Sequence, residues 1–593
     1  MTALAVAEPA AGVLDQASLH LVDSMTALDE CRRWLGERRD GPLCVDTESG
    51  GLDVYRHRHR LTQLGDKYHG WAFGPAWFGA ANEMIRAYPW LAMHNQSYDW
   101  RVFRRHQGIE PRWAVTENTL TLARLADSLK PAGLKPRAAL DVDPRAMAAD
   151  QQLEAAMKRQ RWTWDTVPPD FAPYWMYGAM DTVLTAWMFD RYAPVKAALP
   201  QVYDLERAVD RICAGMMDAG MMIDVPFIEA KTAAVRAELA QIMPWLRAEH
   251  GITSARSSEQ VAAAMRAAGV ELTEITDGGA PSFTKGALDM YAIRHPQAAW
   301  LCQAIRKARK AEDIAGKYLG KFLELADADG IVHYSINTMR ADTHRQSITD
   351  PPMQTFDRDE PAIRGSFIPR PGHVFITIDA DQIEARLAAI FSGDRRMIAD
   401  FNRCDAEGLN FFVEMTSQIY GEPVSKKDPR YSYTKNGTYA QIYGSGLATA
   451  ARTFGVPEEN LKPSYDGFRQ LYPGVHRLMK RTINEARAMP RPGVRTLMGR
   501  MLYCRRGYEY VLQDYRIQGS AAEIFKMGMV KLDAAGYGGM LRLPMHDEYI
   551  LEVPKEHAQE ILRGITEVLT DRESFSLPIT WGGSILPERW EKR

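Results

Sequence analysis

The sequence predicts a multidomain α/β protein, with a small N-terminal α/β domain followed by a larger C-terminal domain built from non-contiguous segments. Three observations carry this reading. The 593-residue length is more than one hydrophobic core normally spans. The apolar pattern runs from mixed strand-and-helix to helical, to mixed, to helical, and back to mixed. Acidic residues also sit within or at the ends of apolar, strand-like runs in three places: VDTE (Asp46, Glu48), VFITIDADQIEARL (Asp379, Glu384) and LPMHDEYILEV (Asp547, Glu548). A carboxylate in a buried strand is costly unless a cation neutralises it, so these segments imply two separate sites for divalent metal.

Taken in order, the apolar run Leu43–Val45 makes LCVDTE a strand, and Tyr174 to Tyr192 reads as a helix. After Pro200 the pattern is helical through LERAVDRICAGMMDAGMMIDV and IEAKTAAVRAELAQIMPWLRAEHG. It continues to about Asp329, with one break at DGGAPSFTKG. Strands and turns return at His333, and HVFITIDAD reads as a strand ending at Asp379. Asp428 and Pro429 form the cap and first turn of a helix. Along that helix Lys435, Tyr439 and Tyr443 recur every four residues, which puts them on one face. LRLPMHDEYILEV closes the chain's chemistry as a hairpin with His546 and Asp547 near its turn.

Hydrophobic residues at 46% and charged residues at 25% fit an ordinary well-packed soluble protein. The net charge of −2 argues neither for nor against nucleic acid; local clustering decides that, and CRRWLGERR and AIRKARKAEDIAGKYLGK are the basic stretches. The six cysteines show no CxxC or His/Cys ligand spacing. This argues against a structural zinc and suits reduced thiols in the cytoplasm. The N-terminal MTALAVAEPAAGVLDQ lacks the basic region and apolar core of a signal peptide, and no run is long enough to span a membrane.

Bringing the strand end at Asp379 beside the hairpin turn at Asp547 puts both carboxylates within reach of shared ions. Two ions about 3.5–4 Å apart can activate a hydroxyl and stabilise a leaving oxygen in phosphoryl transfer. Mg²⁺ suits such oxygen ligands, with Mn²⁺ as an alternative. In the N-terminal domain Asp46 and Glu48, two residues apart, share a strand face. HNQSYD supplies Asp99, and YGAMD supplies Tyr177 and Asp181 on one helix face. Four acids and a tyrosine suit a two-metal hydrolysis in which the tyrosine orients the attacking water.

DADQIEARLAAIFSGD, KNGTYAQIYG and MHDE resemble, in order, motifs A, B and C of the family A DNA polymerases, the DNA polymerase I type. THRQSITDPPMQTF followed by IRGSFIPRPGHV resembles the segment leading into motif A, and RIQGSAAEIFKMGMVKL the helix before motif C. DTE, HNQSYD and YGAMD resemble the three motifs of the DEDDy 3′–5′ exonucleases. The resemblance implies an RNase H-like exonuclease domain over 1–195 and a right-hand polymerase. Its parts would be a thumb over 196–330, a palm over 331–400 and 501–593, and fingers over 401–500. This layout, with no 5′-nuclease domain, resembles a phage replicative polymerase.

The same resemblance implies roles. Asp379 and Asp547 would bind two Mg²⁺ with Glu548 in support, while Asp46, Glu48, Asp99 and Asp181 would bind two more beside Tyr177. Lys435 would contact the triphosphate and protonate pyrophosphate. Tyr439 would pack near the incoming sugar, Tyr443 under the templating pair, and Glu384 would hinder a ribose 2′-OH, with Gln382 beside them. Arg345, Gln354, Gln518 and His546 would meet the primer–template near its minor groove, whose acceptors are common to all base pairs. Arg306 and Lys310 would meet phosphates. The family's arginine one turn before Lys435 is Tyr431 here, so either Arg430 reaches around or another cation serves. Asp514 and Tyr510 replace the usual Asn and Arg ahead of Gln518. The expected partners are primer–template DNA, dNTPs and replisome proteins such as a helicase and a single-strand binding protein, for a monomer in the host cytoplasm. Three rival readings are a nuclease with a DNA-binding polymerase half, a single-subunit RNA polymerase, and an inactive DNA-binding scaffold.

Overall fold

The computed structural model describes residues 12–38, 41–276, 278–355 and 360–591. The first eleven residues of the N-terminal segment lie outside the described residues, as do Arg39 of the first basic stretch, Asp40 beside it, Asp277 in the Gly/Pro/Ser break and Phe356 at the end of THRQSITDPPMQTF.

The N-terminal part is built on a six-stranded sheet. Its spatial order is Ser18–Val22, His69–Phe73, His59–Gly65, Leu43–Ser49, Leu91–Met93, Thr116–Asn118. The strand His59–Gly65 runs antiparallel to both of its neighbours, and the other pairings are parallel. Side chains alternate between the faces. Leu43 and Val45 join Trp71, Phe73, Leu91, Trp100 and Phe103 in a core on one side. Cys44 points the other way and packs with Ala92 and Ala186. Asp46 and Glu48 therefore share the face covered by the long helix Ala172–Ala198.

Glycine lets that helix come close. A Cβ on Gly70 would lie 2.3 Å from the Ala179 carbonyl oxygen, and one on Gly65 would lie 2.1 Å from Thr182 Oγ1. Ala179 and Thr182 flank Asp181, so the two strand glycines set how deeply that carboxylate descends toward the sheet.

The helix Pro200–Ala219 leads into the larger part. The sequence predicts a helical run through Val225, but the helix stops at Gly220 (φ +58), where a Cβ would meet Ile331 Cγ2 at 2.5 Å. Met221–Met222 instead pair as a short strand with Ile331–Val332. A helical region follows over Val225–His250, Ser258–Ala267, Lys285–Arg294 and Ala299–Glu312, and it closes over its own small core of Leu246, Val261, Leu288, Tyr291 and Ile305.

The centre is a four-stranded antiparallel sheet in the order Leu541–Met545, Glu548–Pro554, His373–Ala380, Trp581–Leu586. Its core runs on beneath the helices Ile383–Ser392 and Leu512–Ala534. A bundle of helices from Arg395 to Arg487 stands beside it and includes Pro429–Ile442. That helix starts as expected, with Asp428 accepting from Arg430 N at its N-cap and Pro429 in the first turn. All six cysteines are buried and unbridged, and no described helix is long and apolar enough to cross a membrane.

Candidate active sites

The first acidic centre lies where the strand Leu43–Ser49 meets the helix Ala172–Ala198. Carboxylate oxygens of Asp46, Glu48 and Asp181 lie within 4.8 Å of one another. Asp99, on the helix Gln96–Gln107, is buried behind them, and its Oδ1 accepts a 2.7 Å hydrogen bond from Thr47 Oγ1. It stands outside the tight trio yet acts electrostatically on Asp46. Burial raises the pKa of all four acids, and repulsion from neighbouring carboxylates adds to the rise. Such a cluster calls for cations. Asp181 Oδ1 is buried without a protein partner, so the donor set fits a hard divalent ion.

Tyr177, one helical turn before Asp181, packs near Trp164 at 5.7 Å between ring centroids. Burial and the surrounding carboxylates raise its pKa. The sequence reading missed Lys135, on the helix Leu134–Asp141. Its Nζ donates to Asp181 Oδ2 at 2.6 Å and sits 3.2 Å from the Tyr177 ring centroid. Burial pulls its pKa down, but Asp181, Glu48 and Asp150 outweigh this and hold it above the ordinary lysine value. His94, in HNQSYD, turns away from the acids. One of its ring nitrogens contacts Thr119 Oγ1 at 2.9 Å and the other the Ala132 carbonyl oxygen at 3.0 Å, which anchors the loop ahead of Lys135.

The second centre lies on the central sheet. Asp379 is the direct cross-strand partner of Glu548, and Ala380 N donates to the Asp547 carbonyl at 3.2 Å. The hairpin turn thus delivers Asp547 to the end of the strand that carries Asp379. His546, exposed in this turn, takes a left-handed φ of +54. Three of these acids have an arginine nearby. Arg345 pairs with Glu384 and lies 3.7 Å from Asp547, while Arg364 lies 3.5 Å from Glu548 with both side chains almost fully buried. Tyr443 donates its hydroxyl to the other oxygen of Glu384.

Lys435 is exposed on the helix Pro429–Ile442. Tyr439 packs against Phe412 and stacks with Tyr443 at 5.9 Å, and Tyr443 itself forms the C-cap. Gln382 is the N-cap residue of the helix Ile383–Ser392 in a left-handed conformation, with its Oε1 buried and unpartnered. Gln354 donates to the Pro544 carbonyl at 3.3 Å, and Gln518 lies one helical turn after Asp514 on the helix Leu512–Ala534. Burial and Glu384 push Asp514 up to about 7.

Arg430 is held by Asp428 and Glu422, so the reach-around alternative requires both pairs to open. Arg306 pairs with Asp289, and Lys310 with Glu360 at 2.6 Å. Both basic residues line one cavity of about 620 Å³ in the helical region. Arg364, like Lys135, gave no sequence signal, because no motif spacing joins either residue to the acid it serves.

The chain thus carries two carboxylate centres, and at the second Tyr443, at the end of the helix Pro429–Ile442, donates to Glu384. The DNA polymerase family A model matches residues 227–591, well over half of the chain, and the chain belongs to that family. It is 29% identical over 580 residues to the DNA polymerase of Mycobacterium phage D29, covering 94% of both chains. It is 27% identical over 400 residues to the thermostable DNA polymerase I of Thermus aquaticus, covering 63% of this chain and 46% of that one. Among solved structures it resembles the POL domain of Pol1 from M. smegmatis in complex with DNA primer-template and dNTP. The TM-score there is 0.76 at 19% identity, covering 97% of this chain and 99% of that one.

Proposed function

We propose that this protein is a DNA-templated DNA polymerase with a separate 3′–5′ proofreading nuclease, serving replication of a phage genome. The observation that carries the reading is the cross-strand pairing of Asp379 with Glu548, with Asp547 in the adjoining turn. In this reading 1–195 is the RNase H-like nuclease, 196–330 the thumb, 331–400 with 501–593 the palm, and 401–500 the fingers.

In the palm Asp379 and Asp547 would hold two divalent ions, Mg²⁺ by their oxygen-only chemistry, with Glu548 in support. Bound there, a metal would supply Lewis acidity for the phosphoryl transfer. Lys435 binds the triphosphate from the exposed face of its helix and gives a proton to the leaving pyrophosphate. Tyr439 bounds the sugar pocket. Glu384 is fixed on both oxygens, by Arg345 and by Tyr443, and a fixed carboxylate rejects a 2′-hydroxyl better than a mobile one.

At the N-terminal site Asp46, Glu48 and Asp181, with Asp99 beside them, would hold the second metal pair. Tyr177 orients water toward the terminal phosphodiester. The DEDDy pattern and the trio of convergent carboxylates support this nuclease reading.

Primer extension by the full chain with Mg²⁺ tests the proposal. dNTPs should be incorporated, EDTA should stop incorporation, and Glu384→Ala should admit rNTPs at least about tenfold better than the parent. Template-independent addition, or no incorporation at all, would contradict it.

A further inference from the structure

Lys135 has no place in the mechanism above, yet it is the most deliberately held cation of the N-terminal site. Its side chain is 5% exposed. The ammonium touches three groups at once: Asp181 Oδ2 at 2.6 Å, Asp150 Oδ1 at 3.3 Å and the face of the Tyr177 ring at 3.2 Å from its centroid. Burying an ammonium costs several kcal/mol before its partners are counted, so the three-way contact has to recover that cost. Its neighbour Arg137 offers a contrast. From the same helix Arg137 turns to Asp141 and to Tyr192 Oη at 2.7 Å, which closes a local structural pair that reaches none of the four acids.

We propose that Lys135 is a positioning residue of the nuclease site, acting through Tyr177 and Asp181. The inference rests on the nuclease reading of that site. A cation over an aromatic face is drawn to the ring quadrupole, and this fixes the ring plane and therefore the line along which the phenol hydroxyl points. The hydrogen bond to Oδ2 fixes the Asp181 carboxylate in the same way. Its Oδ1 is left without a protein partner, available to a metal ion. Asp150, on the helix Ala148–Gln160, holds the ammonium from the other side, so the arrangement is braced from two helices.

Two readouts separate positioning from mere charge balance. Lys135→Met and Lys135→Arg are made in the full chain, with primer extension on the same preparations as the control for folding. Single-strand digestion by Lys135→Met should fall about 100-fold in kcat with little change in KM. Tyr177→Phe added to Lys135→Met should cost little more, because both changes remove one function. The second readout is Mn²⁺ binding at the N-terminal site, followed by electron paramagnetic resonance in an Asp379→Asn, Asp547→Asn background.

A cation that only sits near the metals repels them, so its removal tightens Mn²⁺ binding. A cation that orients Asp181 weakens binding when it is removed, and the expected result is about tenfold weaker binding. Unchanged or tighter Mn²⁺ binding, or additive Lys135 and Tyr177 effects, overturns the proposal. If the parent digests no more than Asp46→Asn does, the nuclease reading fails, and the Mn²⁺ titration still decides whether Lys135 orients Asp181.

Discussion

The two acidic centres solve the same electrostatic problem in opposite ways. At the central sheet and the helix after it, arginines stand beside three of the acids: Arg364 beside buried Glu548, and Arg345 between Glu384 and Asp547. Around Asp46 the acids mainly face one another, and every one of them has a raised pKa with burial as the leading cause. One lysine, Lys135, is the cation acting on Asp46, Glu48 and Asp181 alike. A centre whose acids are paired with arginines has part of its charge neutralised from within the chain. A centre of mutually repelling acids depends on cations for its geometry.

The comparison can be broken most severely at Lys435, which belongs to one centre only. Lys435→Ala should lower incorporation about 10²–10³-fold, as removal of a charged donor from a transition state does, and leave single-strand digestion intact. Steady-state incorporation and digestion on one preparation read both. Gly70→Ala attacks the other centre by geometry alone. The added Cβ would press on the Ala179 carbonyl, pushing out the helix that carries Tyr177 and Asp181. Digestion should slow about 10²-fold while extension holds, since a displacement of about 1 Å is enough for that loss.

Arg364→Met sharpens the contrast in stability. It strips the arginine from buried Glu548, a loss of about 3 kcal/mol read in a denaturant midpoint, and adding Glu548→Gln should restore part of it. The smallest effect concerns Asp514. Folding raises its pKa from 3.8 to about 7, so the folded chain keeps a proton that the unfolded chain releases, and stability falls as pH climbs between those values. Asp514→Asn should melt about 2 °C above the parent at pH 8, and this gain should shrink toward pH 4.

Local chemistry was legible in the sequence. The apolar run at Leu43–Val45 marks its strand, which extends to Ser49. The Asp428–Pro429 cap marks the start of its helix, and MHDE marks a turn between strands. Spacing of two on a strand and four on a helix put Asp46 with Glu48 and Tyr177 with Asp181. What stayed hidden depends on long-range approach. Lys135 reaches Asp181 across 46 residues and Arg364 reaches Glu548 across 184, and no periodicity encodes either meeting. Nothing in the sequence at Gly65 and Gly70 signals the helix that lies over them and would meet a Cβ at either. The helix end at Gly220 was hidden for the same reason, because only the strand at Ile331–Val332 makes a side chain there intolerable.

The central claim is that two independent centres act in one chain. Its most direct test is a crossed assay of primer extension and single-strand digestion for the parent, Asp46→Asn and Asp379→Asn. Asp379→Asn should lose extension and keep digestion, and Asp46→Asn should do the opposite. If either substitution, in a chain that melts like the parent, abolished both activities together, the two centres could not be separate.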